Sequence, residues 1–182
     1  MKKEFMEIAR REIRRQGIDE LLNFLENRTD FFVSPASTMY HGAEKEGLVK
    51  HSLKVRECLN SYCDVVEATT ESITISALFH DLCKVNSYIT DTRNVKINGV
   101  WEKVSYYKFD PERICYGHGE ESVLIIERYM KLTKAERFAI RYHMGAYVDG
   151  DIKNLTNVYK NYKLAFYLHV ADMESSLYEE RR

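Results

Sequence analysis

At 182 residues, 45% hydrophobic and 30% charged, the chain has the balance of a folded, water-facing protein and the length to bury the core of one domain, expected over residues 1–182. Its formal net charge of −1 disfavours general nucleic-acid binding while leaving a local basic groove open. No apolar run approaches the roughly 20 residues of a membrane span, and Cys58, Cys63, Cys83 and Cys115 form neither a CxxC pair nor a zinc-knuckle spacing, so a cytoplasmic protein with reduced thiols is expected.

Helical periodicity dominates the chain. Residues 2–16 and 18–27 predict two helices broken near Gly17, a helical extension over residues 1–30. Lys2, Lys3, Arg10, Arg11, Arg14 and Arg15 interleave there with Glu4, Glu7 and Glu12. The Glu7–Arg11 spacing suits a solvated helix face, and the acids argue against a transit peptide. Pro35 marks a loop, and residues 47–66 then read as a helix carrying His51 in its first turns. In residues 71–84, Ile73, Ile75, Ala77, Leu78, Phe79 and Leu82 leave no solvent-facing side, which predicts a buried helix ending in His80-Asp81.

One segment breaks the pattern. Val95–Val104 has β-branched residues around Asn98-Gly99, the strongest short-range signal for a two-residue hairpin. Its strands extend toward Tyr107 or Phe109, in an insertion at residues 88–110 that carries Trp101. A lid over substrate, a surface decoration and a homo-oligomer contact are its alternative roles. Helices follow at residues 118–131 and 133–144, the second with Thr133 and Glu136 spaced as a capping box, and a last one spans about 161–179.

The buried His80-Asp81 pair needs an explanation, because desolvating an imidazole and a carboxylate costs several kcal/mol unless each finds a partner. A divalent metal and a plain His–Asp hydrogen bond are both adequate. His51 precedes the pair. His118 opens one later helix, His143 closes another, and Asp172 sits in the apolar run Leu164–Ala171. This order, His, His-Asp, His, His, Asp, resembles the HD superfamily of metal-dependent phosphohydrolases over roughly residues 36–178.

The resemblance implies an all-α HD-domain helical bundle, here with a small inserted β-hairpin. His51, His80-Asp81 and Asp172 match the core HD pattern, and His118 and His143 match the subset whose sites hold two metals. Asp81 would then bridge two divalent ions. His51, His80 and Asp172 would complete one shell, and His118 and His143 would bind the second ion. Fe, Mn, Co, Ni, Zn and Mg all remain open. The implied activity is hydrolysis of a phosphoester or phosphoanhydride bond of a nucleotide or dinucleotide by metal-activated water.

Lys84, three residues after Asp81, is placed to hold a phosphate oxygen, with a lysine snorkelling from a helix end as its plain alternative. The resulting HD-x-x-Lys form is similar to that of cyclic-dinucleotide phosphodiesterases, dinucleoside tetraphosphate hydrolases and the HD domains of some exoribonucleases. HD-type deoxynucleoside monophosphatases carry glutamate there instead. The Gly-Tyr-Pro signature of the cyclic-di-GMP enzymes is missing, and the chain has no room for the nucleic-acid-binding fold of the exoribonucleases.

His41 and Trp101 are further candidates for substrate contact, the first also readable as an exposed loop histidine. His169, one helical turn before Asp172, reads as a supporting or packing residue. Glu44, Glu120 and Glu121 are candidates to protonate a leaving group, and Arg141 points to a different helix face from His143. Two alternatives stand beside the dinuclear hydrolase: a mononuclear nucleotidase using His51, His80, Asp81 and Asp172, and a non-catalytic nucleotide-sensing module.

Overall fold

Helix α5 is the axis around which the rest is wrapped. In the computed structural model, which describes residues 1–38, 42–147 and 151–179, α5 runs Thr70–Phe79. Thr69 caps it by accepting the Ser72 N–H on its side-chain oxygen, and every residue from Ile73 to Phe79 is buried. A helix with no polar face must be enclosed on all sides. Helix α1 (Lys2–Glu12), α3 (Gly47–Ser61), α7 (Lys134–Arg141) and α9 (Lys163–Glu174) all pack on it.

Two apolar clusters share this axis. The first collects α1, α2 (Ile18–Arg28) and the loop after α2 around Phe5, Phe31, Phe32 and Phe79, whose rings lie 5.0–5.9 Å apart. The second joins α3, α7 and α9 with α4 (Cys63–Val66) and α8 (Ile152–Asn161). Ile75, Leu78 and Phe79 of α5 serve the first, and Ile73 and Ala77 serve the second. Helix α6 (His118–Glu127) packs beside α7, completing nine α-helices among the described residues.

The N-terminal helices are therefore core as well as solvated face. Phe5 and Ala9 are fully buried, and polar ties flank them. Glu12 accepts from Arg56 and from Thr74 Oγ1 (2.7 Å), while Arg15 forks onto Glu136 (2.6 and 3.0 Å) and reaches Glu71 (3.1 Å). Arg11 turns to Glu12, at 2.7 Å, instead of the expected Glu7.

Several predicted helices end early, and the endings shape the site. The helix expected over 71–84 stops at Phe79: Asp81 leaves helical geometry (φ −105°, ψ 21°), and Leu82–Lys84 form a single tighter turn. Residues 47–66 break at Tyr62, and α7 stops at Arg141, so His143 sits in the turn beyond it. The Thr133–Glu136 capping box is present as expected. Helix α8 was not anticipated. Its inward residues Leu155, Val158 and Tyr159 are helically spaced, but Asn154, Thr156, Asn157 and Asn161 are weak helix formers that blur the signal.

The fold is mostly helical but not purely so, because the insertion is a full two-stranded antiparallel ribbon. Strand β1 (Tyr88–Ile97) pairs with β2 (Val100–Phe109) from Tyr88↔Phe109 to Ile97↔Val100. Asn98 (φ 49°) and Gly99 (φ 86°) make the turn with two successive positive φ angles, which asparagine and glycine tolerate. No helix among the described residues is long and apolar enough to cross a membrane.

Candidate metal centre

Chain breaks at the ends of α5 and α7 bring the polar residues together. His80 and His143 each follow a helix by one or two residues, and each donates its Nδ1–H to a carbonyl of the preceding turn: His80 to Ala77 O (2.8 Å), His143 to Ile140 O (2.7 Å). That bond fixes the tautomer, so each Nε2 carries a bare lone pair turned inward. His51, from the first turns of α3, places Nε2 at 3.3 Å from His80 Nε2 and 3.1 Å from Asp172 Oδ1, with Ser175 Oγ at 3.5 Å behind its Nδ1.

Gly119 lets the fourth imidazole approach. A Cβ there would stand 2.4 Å from Arg141 O, so only glycine allows the start of α6 to press on the end of α7 and bring His118 beside His143, their rings 5.1 Å apart.

Asp81 is the hub. Its Oδ1 faces His118 Nε2 (2.8 Å) and His143 Nε2 (3.4 Å), and its Oδ2 faces His80 Nε2 (3.5 Å) and His51 Nε2 (3.7 Å). Lys84 Nζ meets Oδ2 at 2.6 Å, because the turn after Asp81 carries the lysine back over it. The predicted His51, His80, Asp81, His118, His143, Asp172 and Lys84 thus converge on one place. Three overlapping groups among them have ligand atoms within 4.8 Å of one another: His51/His80/Asp81, His80/His143/Asp172 and Asp81/His118/His143.

The electrostatics ask for a cation. Burial alone would raise the Asp81 carboxyl, but Lys84, His80, His118 and His143 outweigh it and hold it well below the usual range. Asp172 is likewise pulled down despite burial, chiefly by His51. Burial pushes His80 down to about 3, against the pull of Asp81, so its imidazole is neutral. Lys84 stays charged because the Asp81 carboxylate outweighs the cost of burying the ammonium. Two buried carboxylates, one ammonium and four imidazoles thus share a shell in which His51, His80, His143 and Asp81 are all nearly inaccessible.

The donor set fits a metal on an atom-level observation. His143 Nε2 is buried with no hydrogen-bond partner, a lone pair facing a carboxylate oxygen. Two electron-pair donors turned on each other repel, and a cation between them removes both the repulsion and the desolvation penalty.

Other predicted residues fall elsewhere. Trp101 pairs with Lys96 at the ribbon tip and is 68% exposed, eight residues along β1 from Tyr88, about 26 Å at strand rise. His41 lies outside the described residues. Glu44 pairs with Lys50 (2.9 Å), Glu120 with Arg141 (2.6 Å), and Glu121 accepts from the Tyr116 N–H (3.4 Å). His169 donates to the His143 carbonyl (2.7 Å), bracing that ligand turn as expected of a supporting residue.

Residues the motif did not reveal surround the cluster. Cys83, raised to about 12 by burial, places Sγ at 3.3 Å from His118 Nδ1, and its carbonyl accepts from Arg113 (2.6 Å) and Ser87 (3.0 Å). Tyr88, pushed up to about 12 by burial, feels the charge of Lys84 and donates to Ala36 O (3.1 Å). Only their adjacency to His80-Asp81 and to the hairpin start hinted at these roles. No protein-family model, curated protein or solved structure matches the chain.

Proposed function

We propose that the chain is a metal-dependent phosphohydrolase of the HD type, cleaving a phosphoester or phosphoanhydride bond of a nucleotide or dinucleotide. The observation that carries the reading is the division of Asp81: one carboxylate oxygen faces His51 and His80, the other His118 and His143. This is the disposition expected of a carboxylate shared by two cations. His51, His80 and Asp172 would hold one ion, and His118 and His143 the other.

Bound divalent ions would supply Lewis acidity and lower the pKa of a water, which a phosphate ester requires for attack at neutral pH. The chain's own residues do the rest. The backbone carbonyls of Ala77 and Ile140 hold two imidazoles with their lone pairs inward, and His51, with Ser175 Oγ behind its Nδ1, would present Nε2 to an ion. Lys84, charged and 14% exposed, offers its ammonium to a phosphate oxygen. His118, at 33% exposure, marks the side from which substrate enters.

The test is metal analysis of freshly purified protein together with turnover on a broad nucleotide panel in Mn²⁺, Co²⁺ or Mg²⁺. Near two ions per chain with hydrolysis supports the reading. Near one ion supports the mononuclear nucleotidase, and bound metal without turnover on any substrate supports the sensing module.

A further inference from the structure

The ribbon has two edges, and they differ. On β1 the Asp91 carboxylate folds back to accept the Thr92 N–H (2.7 Å), which blunts that edge. The two-residue turn makes Ile97 and Val100 a hydrogen-bonded pair. By alternation, the N–H and C=O groups of Trp101, Lys103, Ser105, Tyr107 and Phe109 point away from β1, and among the described residues no other backbone group bonds them. The outer edge of β2 is therefore an open template for a further strand. Trp101 and Phe109, toward its two ends, are each more than half exposed.

The side chains along this edge match a second copy of themselves. Lay β2 antiparallel to the β2 of another copy, with Ser105 opposite Ser105, and every position meets a suitable partner. Val104 faces Tyr106, and Lys103 lies beside the ring of Tyr107. Glu102 faces Lys108, which already holds Asp91 of its own ribbon (2.6 Å) and would then lie between two acids. Trp101 faces Phe109, so the exposed aromatic rings at the two ends cover each other. Ser105 is one of the residues whose backbone groups point outward, so this register also places donors opposite acceptors. A foreign strand would need the same order of charges and rings; a second copy has it by symmetry.

We propose that two copies of the chain associate through β2, antiparallel and centred on Ser105, into a four-stranded sheet of order β1-β2-β2-β1 about a two-fold axis. The register carries each Asn98-Gly99 turn past the partner's Asp110, toward the loop that leads to His118. Ile114 and Tyr116 in that loop are more than three-quarters exposed.

Analytical ultracentrifugation of the full-length protein over a range of concentrations reads the association. A strand edge is a small interface, so a reversible dimer with a dissociation constant on the order of 10 μM is expected. Glu102→Lys and Lys108→Glu each set like charges opposite one another on both sides of the axis, and each alone should weaken the dimer about tenfold. Mixed in equal amounts, the two variants restore opposite charges at both positions and should associate at least as tightly as the parent. Both are made in an Asp91→Asn background, which should itself dimerise like the parent, so that the new acid does not face an aspartate of its own ribbon. Trp101 emission should shift to the blue as the parent dimerises. Ser105→Pro, whose missing N–H lies outside its own ribbon's ladder, should abolish both the shift and the dimer. A parent chain that stays monomeric at about 100 μM overturns the proposal. A dimer indifferent to the charge variants, or variants that mixing does not restore, overturns the β2 register. None of these readouts depends on metal or on turnover.

Discussion

The metal cluster and the hairpin are neighbours in the chain and opposites in construction. His80 and Asp81 are nearly inaccessible, and the cluster's candidate ligands come from five separate stretches of chain, with the two inward imidazoles locked by backbone carbonyls. Seven residues after Asp81 begins a ribbon whose strands pack chiefly on each other and whose tip leaves Val100 and Trp101 more than 60% exposed. Burial removes freedom from the cluster and leaves it to the ribbon. On the proposed reading, chemistry that needs fixed lone pairs would sit where the core holds them, apart from the exposed ribbon.

The sharpest way to break this contrast is at Asp81. Asp81→Ala removes the carboxylate that both histidine pairs face, and on the proposed mechanism turnover should fall by roughly 10³-fold or more, about 4 kcal/mol of transition-state stabilisation. Bound metal, read by elemental analysis, should fall with it, while helical content by circular dichroism stays near that of the parent. Normal turnover with full metal content in Asp81→Ala would end the proposal.

A second break lies where the N-terminal helices lock onto the bundle. Glu136 is fully buried, and Arg15, the Thr133 N–H and Ser72 together outweigh burial and hold its carboxyl below the usual range. Glu136→Ala removes the main partner of Arg15, leaving it Glu71 and the Lys131 carbonyl, and should cost about 3 kcal/mol in denaturant unfolding. The pH dependence has a definite sign. Above about 4.5 the ionised form is present in both states and its extra stabilisation is complete; as pH falls toward the lower folded pKa, the unfolded chain takes the proton first and stability declines. His80 adds to the same slope in metal-stripped protein, since the unfolded chain protonates it below about pH 6.5 and the folded chain only near 3. Glu136→Gln should flatten the lower part of this acid limb and leave the His80 part, with stability measured between pH 3 and 7. An unchanged limb would mean that the Arg15 lock contributes nothing to folding.

A smaller effect is expected within the cluster. His118 is one-third exposed and His143 fully buried, so the two are not equivalent although both face the same oxygen of Asp81. His118→Ala should weaken one bound metal by about 10–100-fold, with turnover partly restored by added metal. His143→Ala should also lower the melting temperature, because it leaves a void beside α7. Unchanged stoichiometry and rate in both variants would point to a single-metal site.

How much of this was legible in the sequence follows from where the constraints are local. His80-Asp81 stood out because two ionisable residues end an apolar run. The capping box at Thr133 and the Asn98-Gly99 turn are signals carried by a few adjacent residues. The break of α5 at Phe79 was hidden, because the tighter turn at Leu82–Lys84 carries on the same buried apolar run. Helix α8 was masked by its asparagines. Gly119 carries no signal in its own neighbourhood; the approach of α7 is what requires it.

The smallest expected effect sharpens the contrast from the hairpin side. Trp101 is the single tryptophan of the chain, and at 68% exposure it packs on little, so Trp101→Ala should change folding stability by no more than about 0.5 kcal/mol. Its fluorescence is a clean reporter of the ribbon tip. With about 26 Å of strand between it and Tyr88, loading the cluster with diamagnetic Zn²⁺ or Mg²⁺ should leave the water-exposed emission maximum where it was. A blue shift on metal binding alone would mean that the tip folds down on the bundle, and the separation of a fixed chemical centre from an adaptable ribbon would not hold.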